Sequence, residues 1–363
     1  MKNWYKVRLL DFYIIISRER WDGNMAPNIK VLCVLSTKHE QIMHIKDAFL
    51  GKNIDVEIFI ADEFSLAVNY WSKKIDRLLL GTLSKKNRRC VEKKFIDFVR
   101  IWKPDKILYI NTPLSLDVIK EAGKYSFNYF WLVDPLHDLP KEIEHKPNVV
   151  ATYDIDSFYK YHKVEMVDKF VPLGYNVFYK PTAIQRQENV YDIVFVGSPY
   201  KKRLKLLEKI AEQAYKKGWR MKVCGPFWQF PYFWKKYLLK YKYPYLARTI
   251  DNGVFSSEQL CRLYNSAKIC LNIHNDDMSS LNPRTYDILA TKSFMLTDER
   301  AFYDGMEPGR EFVTYTDDMD LMEKISECLG DDELREKCAS QGYAYVVTRR
   351  SVFTGVCEVL GLD

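Results

Sequence analysis

The sequence holds 8 cysteines in 363 residues, yet no two stand at C-x-x-C spacing. A metal-binding or redox cysteine pair is therefore not indicated. Cys33, Cys224 and Cys270 sit in apolar runs (VLCVL, KVCG, KICLN), where cysteine behaves as a small core residue. Reduced thiols and a cytoplasmic chain are expected. No apolar run reaches the ~20 residues a membrane-spanning helix needs. The glycine patterns of a Walker A loop and of a dinucleotide fingerprint are absent. So are internal repeats and low-complexity tracts. The net charge of +7 suits phosphate-bearing ligands or anionic surfaces and is too diffuse to argue for nucleic acid.

The first 28 residues stand apart. Leu9–Ile16 is apolar except for Asp11 and follows Lys2, Lys6 and Arg8, as in a signal peptide. Ser17-Arg18-Glu19-Arg20 then follows without a small-residue cleavage pattern. An edge strand or loosely packed arm is expected over 1–28, with an interfacial anchor as the other reading.

What the chain does contain is ordinary for a globular protein, with 47% hydrophobic and 28% charged residues. Its length suits two domains. Strand-like runs alternate with helical lengths from Ile29–Ser36 through Asp55–Ala61, Lys106–Ile110, Tyr129–Asp134 and Asn148–Asp154 to Lys169–Tyr175. Helical patterns are read at Glu40–Leu50, Leu66–Leu80 and Cys90–Trp102. The pattern restarts at Tyr191–Ser198 and continues through Arg220–Gly225, Lys268–Ile273 and Ser293–Thr297. Asp331–Leu360 reads as helix only. This alternation predicts βαβ units and parallel sheets. The expected domains are 29–180 and 190–348, joined by a linker at Lys180–Asn189.

The densest signal lies in Lys268–Glu299, which reads as strand, loop, helix and strand. Pro283 suits a first helical turn. Asn282, Arg284 and the helix-start N–H groups form a cradle for an anion, and Asp287 one turn further offers a carboxylate to a hydroxyl pair. A nucleotide sugar presents both groups. Gly197 and Ser198 end a strand and open a helix carrying Lys201, Lys202 and Arg203, where close backbone approach and the helix N-terminus favour a diphosphate. Gly225, in Cys224-Gly225-Pro226-Phe227-Trp228, turns aromatics toward the same sheet edge. His274 ends its strand facing the same cleft, and Asp276-Asp277 is a weaker, metal-like acidic pair.

NPRTYD, FMLTDE and EPGREFVTYTDDMDL, with YDIVFVGSPYKKRLKLLEKI and LNIH, resemble the CgeB-like glycosyltransferases from about Tyr191 to the end. The resemblance implies an α/β GT-B fold: two facing Rossmann-like domains with parallel sheets, and a C-terminal helix (349–363) crossing back. It implies a metal-independent enzyme without a cofactor. A nucleotide-sugar donor would be held by Gly197, Ser198, Lys202, Gly225, His274, Asn282, Arg284, Thr285 and Asp287. A glycan, lipid-linked or protein acceptor would lie on the first domain, in polysaccharide biosynthesis or protein glycosylation. Asp134, His137, His274 and also His39 are candidates for the catalytic group. Three departures stand out. Asp287 replaces the family's Glu, and Ser279 occupies the place, eight residues earlier, of the second Glu found in many retaining enzymes of this fold. Ser293 also replaces a usual Gly. An epimerase of the same fold and an inactive assembly protein are the other readings. Trp228–Arg248, mixing aromatics with Lys and Arg, is compatible with peripheral contact at the inner face of a membrane or with a packed helix.

Overall fold

The structure is a computed structural model. It describes residues 28–35, 45–49, 53–64, 82–110, 114–134, 147–182, 190–225, 239–251, 255–276 and 278–362. The N-terminal arm as far as Pro27, the pattern at Leu66–Leu80, and most of the Trp228–Arg248 segment lie outside the described residues.

The first sheet is built from β1 (Ile29–Leu35), β2 (Ile54–Ile60), β3 (Lys106–Ile110), β4 (Phe127–Leu132), β5 (Val149–Thr152) and β6 (Lys169–Phe170). Its order is β2-β1-β3-β4-β5-β6 and its ladders are parallel. The last five residues of β1, VLCVL, are all buried, as a strand covered on both faces of a parallel sheet requires. The second sheet contains β7 (Tyr191–Val196), β8 (Met221–Cys224), β9 (Ala267–Asn272), β10 (Met295–Asp298) and β11 (Val313–Tyr315), ordered β11-β10-β9-β7-β8 and also parallel. The strand order reverses between β1 and β3 in one sheet and between β7 and β9 in the other. Ligands of open α/β sheets bind beside such reversals, at the C-terminal ends of the strands.

Helices α1 (Ile45–Ala48), α2 (Thr82–Trp102), α3 (Leu116–Ala122) and α4 (Ile155–His162) accompany the first sheet. Val91, Phe95, Ile96 and Val99 form the buried stripe of α2, at the spacing of one helical face. Phe95 meets Phe59 edge to face at 5.2 Å. Helices α5 (Lys201–Lys217), α6 (Ser257–Asn265), α7 (Pro283–Ala290), α8 (Asp318–Gly330), α9 (Asp332–Arg349) and α10 (Val352–Leu360) complete the chain.

Three expected elements differ. The strand read at Lys169–Tyr175 is only two residues long, because Tyr175 turns its backbone toward the end of the chain. Of the helix read at Glu40–Leu50, Ile45–Ala48 is helical among the described residues. β11, inside EFVTYT, was not expected. With three residues at a sheet edge, it is too short to show a period.

The chain crosses between the sheets twice, and the two crossings pair. The Tyr175 N–H donates to the Arg350 carbonyl at 2.9 Å and the Val352 N–H to the Tyr175 carbonyl at 3.0 Å. α10 then lies on the first sheet, the crossing back that was expected of the C-terminal helix. A Cβ on its Gly355 would come within 2.6 Å of Trp131 Cη2. Trp131 is buried and donates from Nε1 to the Val171 carbonyl at 3.2 Å. Phe353 meets Phe49 edge to face at 4.8 Å.

Gly174 is the tightest point of this crossing. A Cβ there would lie closer than 3.0 Å to backbone atoms of Ser351 and Val352, which cannot yield as a side chain can. Gly174→Ala is expected to lower stability by about 1–3 kcal/mol, the usual range for overpacking. Gly330→Ala, with nothing within 4 Å of the added methyl, is expected to be neutral or slightly stabilising. Thermal melts of the two variants against the parent chain check this, and equal melting temperatures for all three would refute it.

Candidate active site

The reversal between β7 and β9 gathers most of the expected donor-side residues. Gly197 follows β7 and Gly225 follows β8. Gly225 has φ +131, and a Cβ on it would lie 2.8 Å from both the N and the O of Gly197. Only glycine allows this backbone-to-backbone approach. The Gly197 N–H donates to the Cys224 carbonyl at 2.8 Å, so the two strand ends are locked side by side. Pro226, Phe227 and Trp228 lie outside the described residues.

Two guanidinium groups flank this glycine floor. Arg284, on the first turn of α7, is half-buried, and its Nη2 would lie 3.4 Å from a Cβ on Gly197. Its Nη1 reaches Asn272 Oδ1 at 3.5 Å. Arg203, on α5, is buried. It donates from Nε and Nη2 to the Ile273 carbonyl at 3.0 and 2.5 Å, and from Nη1 to the Ser198 carbonyl at 3.3 Å. It also lies over the Tyr200 ring at 5.0 Å. Burial, and then the charge of Arg284, bring its pKa down to about 10. Among the described residues neither arginine forms an ion pair.

Beneath Arg284, α7 starts on a closed polar network. Asn282 is the N-cap, and its Oδ1 accepts the Thr285 N–H at 3.1 Å, as capping residues do. Its Nδ2 donates to Asn272 Oδ1 at 3.0 Å, and Asn272 Nδ2 donates to Thr285 Oγ1 at 2.9 Å. His274 is fully buried. Its Nε2 accepts the Asn282 N–H at 3.2 Å, so the ring proton sits on Nδ1 and is donated to Asp298 Oδ1 at 2.8 Å. Asp298 also accepts the His274 N–H at 2.9 Å and pairs with Arg300. Burial lowers the His274 pKa despite the carboxylate beside it. Burial alone would raise Asp298, but the hydrogen bonds from His274, with the charge of Arg300, hold it below the usual carboxylate range.

This corrects the expectation for His274. With both ring nitrogens engaged inside the protein it cannot serve as an exposed catalytic base, and it positions the start of α7 instead. Asp287 also departs from expectation. It is buried, and its Oδ1 accepts the N–H of Asn176, the residue after the Tyr175 crossing, at 3.2 Å. Lys202 pairs with Asp276 across the cleft rim, which gives Asp276 a cationic partner. Among the described residues no cluster of His, Cys, Asp and Glu could hold a metal ion. Asp277 lies outside the described residues.

On the first sheet, Asp134 is exposed just beyond β4. His39 and His137 lie outside the described residues. Arg203, Asn272, Asp154 and Asp298 were not singled out as site residues from sequence. Arg203 was visible only as one of three adjacent basic residues opening a helix, and Asp298 as the acidic end of FMLTDE. All eight cysteines are free, and all but Cys90 are buried. Burial pushes the Cys33 and Cys224 thiols up to about 12, as inert core cysteines require.

Known proteins can now be set beside this geometry. Residues 202–352 match a family model described as Glycosyl transferase-like. Spore protein CgeB of Bacillus subtilis (strain 168) is 26% identical over 243 residues, spanning 60% of this chain and 69% of that protein. The chain is similar to the CgeB-like glycosyltransferases. Solved glycosyltransferase structures share its architecture. A glycosyltransferase from Rickettsia africae ESF-5 superposes with TM-score 0.62 at 13% identity, covering 93% of this chain and 98% of that one. HepE from Anabaena, solved with UDP-glucose, superposes with TM-score 0.62 at 12% identity, covering 92% and 99%. Sucrose-phosphate synthase from Thermosynechococcus elongatus gives TM-score 0.64 at 10% identity, covering 92% and 98%. At such identities the likeness is one of fold, and the fold of this CgeB-like chain is GT-B. Among its described residues no helix is long and apolar enough to cross a membrane.

His274→Asn keeps a donor toward Asp298 and removes the acceptor for the buried Asn282 N–H. At pH 7.5 it is expected to cost about 1–3 kcal/mol, the penalty of an unsatisfied buried group. The folded pKa of His274 lies below its ordinary 6.5, so an unfolded chain binds this proton first as pH falls. The stability contributed by His274 is therefore present above pH 6.5 and is lost below it. The gap in melting temperature between parent and variant should narrow from pH 7.5 down to pH 5. Asp304, raised to about 6 chiefly by burial, works in the opposite direction but is common to both chains and cancels in the difference. A gap that does not change with pH would refute this assignment.

Proposed function

We propose that the chain transfers a sugar from a nucleotide-sugar donor, bound on the second sheet, to an acceptor bound on the first. The observation that carries this reading is the pair Arg203 and Arg284. Two cations converge on the Gly197–Gly225 floor, and among the described residues their partners include no carboxylate. Carbonyl and amide oxygens orient a guanidinium without cancelling its charge, so the site is complementary to an anion. A diphosphate fits it. Arg284 offers a planar fork of donors, Gly197 allows close backbone approach, and Ser198 and Lys202 stand on the rim. Thr285 and Asn282 hold the first turn of α7 under the ligand. Asp287 would take the ribose hydroxyls.

The positive charge is what makes a metal-independent site plausible chemically. Two guanidinium groups can offset the diphosphate charge that a divalent ion would otherwise offset, and hydrogen bonds from Arg284 would stabilise the leaving nucleoside diphosphate. The acceptor would sit against the strand ends of the first sheet, with Asp134, His137 or His39 taking the proton from its hydroxyl. A glycan, a lipid-linked glycan or a protein all satisfy that requirement. Ser279 in place of a second carboxylate carries no support for a retaining mechanism of the two-Glu kind.

UDP is a suitable first probe, since HepE was solved with UDP and glucose and TarM with UDP and alpha-GlcNAc-glycerol. Nucleoside diphosphates of other bases complete the panel. A nucleotide at a hundred times its dissociation constant is expected to add ~2.7 kcal/mol of stability. Arg284→Ala is expected to abolish the shift, and EDTA is expected to leave it intact. No shift with any nucleotide would overturn the proposal and favour an inactive assembly protein. A shift requiring a divalent ion would overturn its metal-independent part.

A further inference from the structure

The two halves of the chain are joined at a third place, far in sequence from either crossing. Asp154 follows β5 and is the N-cap of α4. Its side chain is buried, and its two oxygens serve different domains. Oδ2 accepts the Ser157 N–H at 3.0 Å and the Ser157 hydroxyl at 2.7 Å, closing its own helix. Oδ1 accepts the Ser279 N–H at 3.0 Å, the Ser279 hydroxyl at 2.7 Å and the Ser280 N–H at 3.4 Å, all from the loop after β9. The loop answers in kind. Ser280 Oγ accepts the Ile155 N–H at 2.9 Å and Ser279 Oγ accepts the Asp156 N–H at 3.1 Å. The first N–H groups of α4, which have no partner within their own helix, are thus capped by the other domain.

Hydrogen bonds to the carboxylate from the serines hold it ionised against the burial that would raise its pKa. A buried carboxylate is stable only while its donors stay in place. Opening the cleft would strip Oδ1 of its donors and leave the first N–H groups of α4 without acceptors. The loop that supplies them connects His274 to Asn282, which together set the start of α7 and the direction of Arg284.

We propose that Asp154, Ser279 and Ser280 form an interdomain latch that fixes the angle between the two sheets and with it the width of the cleft. Asp154 is a positioning residue: it acts through the 275–281 loop, and its own oxygens are fully engaged by serines. Ser279, at the place where many GT-B relatives of the resemblance carry a carboxylate, here serves domain closure.

The latch can be read without any ligand, so its failure is separate from failure of the donor-site reading. Cys90 is exposed while the other seven cysteines are buried, and it carries one spin label on α2. Lys217→Cys, at the exposed end of α5, carries the second. The parent chain is expected to give one narrow distance distribution. Asp154→Ala and the double variant Ser279→Ala/Ser280→Ala are expected to lose that narrow peak in favour of a broader distribution. Ser279→Thr, which keeps the hydroxyl, should restore it. Ser157→Ala, which removes the hydroxyl bond to Oδ2 within α4, should leave it unchanged, whereas a merely structural role would make Ser157→Ala and Ser279→Ala behave alike. If Asp154→Ala fails to fold, the serine variants carry the test. A narrow, unshifted peak in the double variant, or a broad one in the parent, would overturn the proposal.

Discussion

His274 can bridge β9, β10 and α7 only as a neutral ring with its proton on Nδ1. One nitrogen must accept the Asn282 N–H and the other must donate to Asp298. A protonated ring would face the Asn282 N–H with a second donor, in a place water cannot reach. The start of α7 therefore depends on one tautomer. From that start follow the Asn282 cap, the asparagine–threonine network below it, and the direction in which Arg284 leaves the helix. The Gly197–Gly225 contact supplies the opposing wall. These are constraints on backbone position, and the charged groups of the site are placed by them.

The second half of the fold was legible because its signals are local. β7 and β9 carry the apolar runs IVFV and ICL, Pro283 marks a helix start, and Gly197 and Gly225 stand where strands end. Family motifs in order over Tyr191 to the C-terminus converge with those signals, and the fold agrees with both. β11 escaped because three residues at an edge carry no period. The strand expected through Tyr175 escaped for another reason. Its apolar composition suits a strand, but its hydrogen bonds go to Arg350 and Val352, a partner 175 positions away that no window could reveal.

Site chemistry was legible in residue type and less so in role. Asn282, Arg284 and Asp287 were readable as a polar cluster at a helix start. Which of them faces a ligand depends on helix phase and on neighbours from other strands. Asn282 and Thr285 are committed to the network under α7, and Asp287 reaches toward Asn176. Arg203 was hidden among adjacent basic residues, and only the turn of α5 over Ile273 distinguishes it from exposed Lys201 and Lys202. Asp154 and Ser279 are separated by 125 positions, so their bond has no sequence signature at all.

The arginine pair and the latch bear on one another. Two like charges near a glycine floor repel, and Arg203 shows it: burial and then Arg284 together lower its pKa. A protein could relieve that repulsion with a carboxylate from the neighbouring loop. Here Asp154 is engaged by serine donors and by its own helix, while Asp298 is engaged by His274 and Arg300. Among the described residues Asp276 and Asp298 have cationic partners of their own, Lys202 and Arg300, and Arg203 and Arg284 form no ion pair. Under the proposed reading, an incoming diphosphate is the group that relieves the repulsion, and its binding free energy includes that relief. An added carboxylate would do the same work intramolecularly and would compete with the ligand. The separation of acids from the two arginines is in this sense as much a part of the site as the arginines themselves.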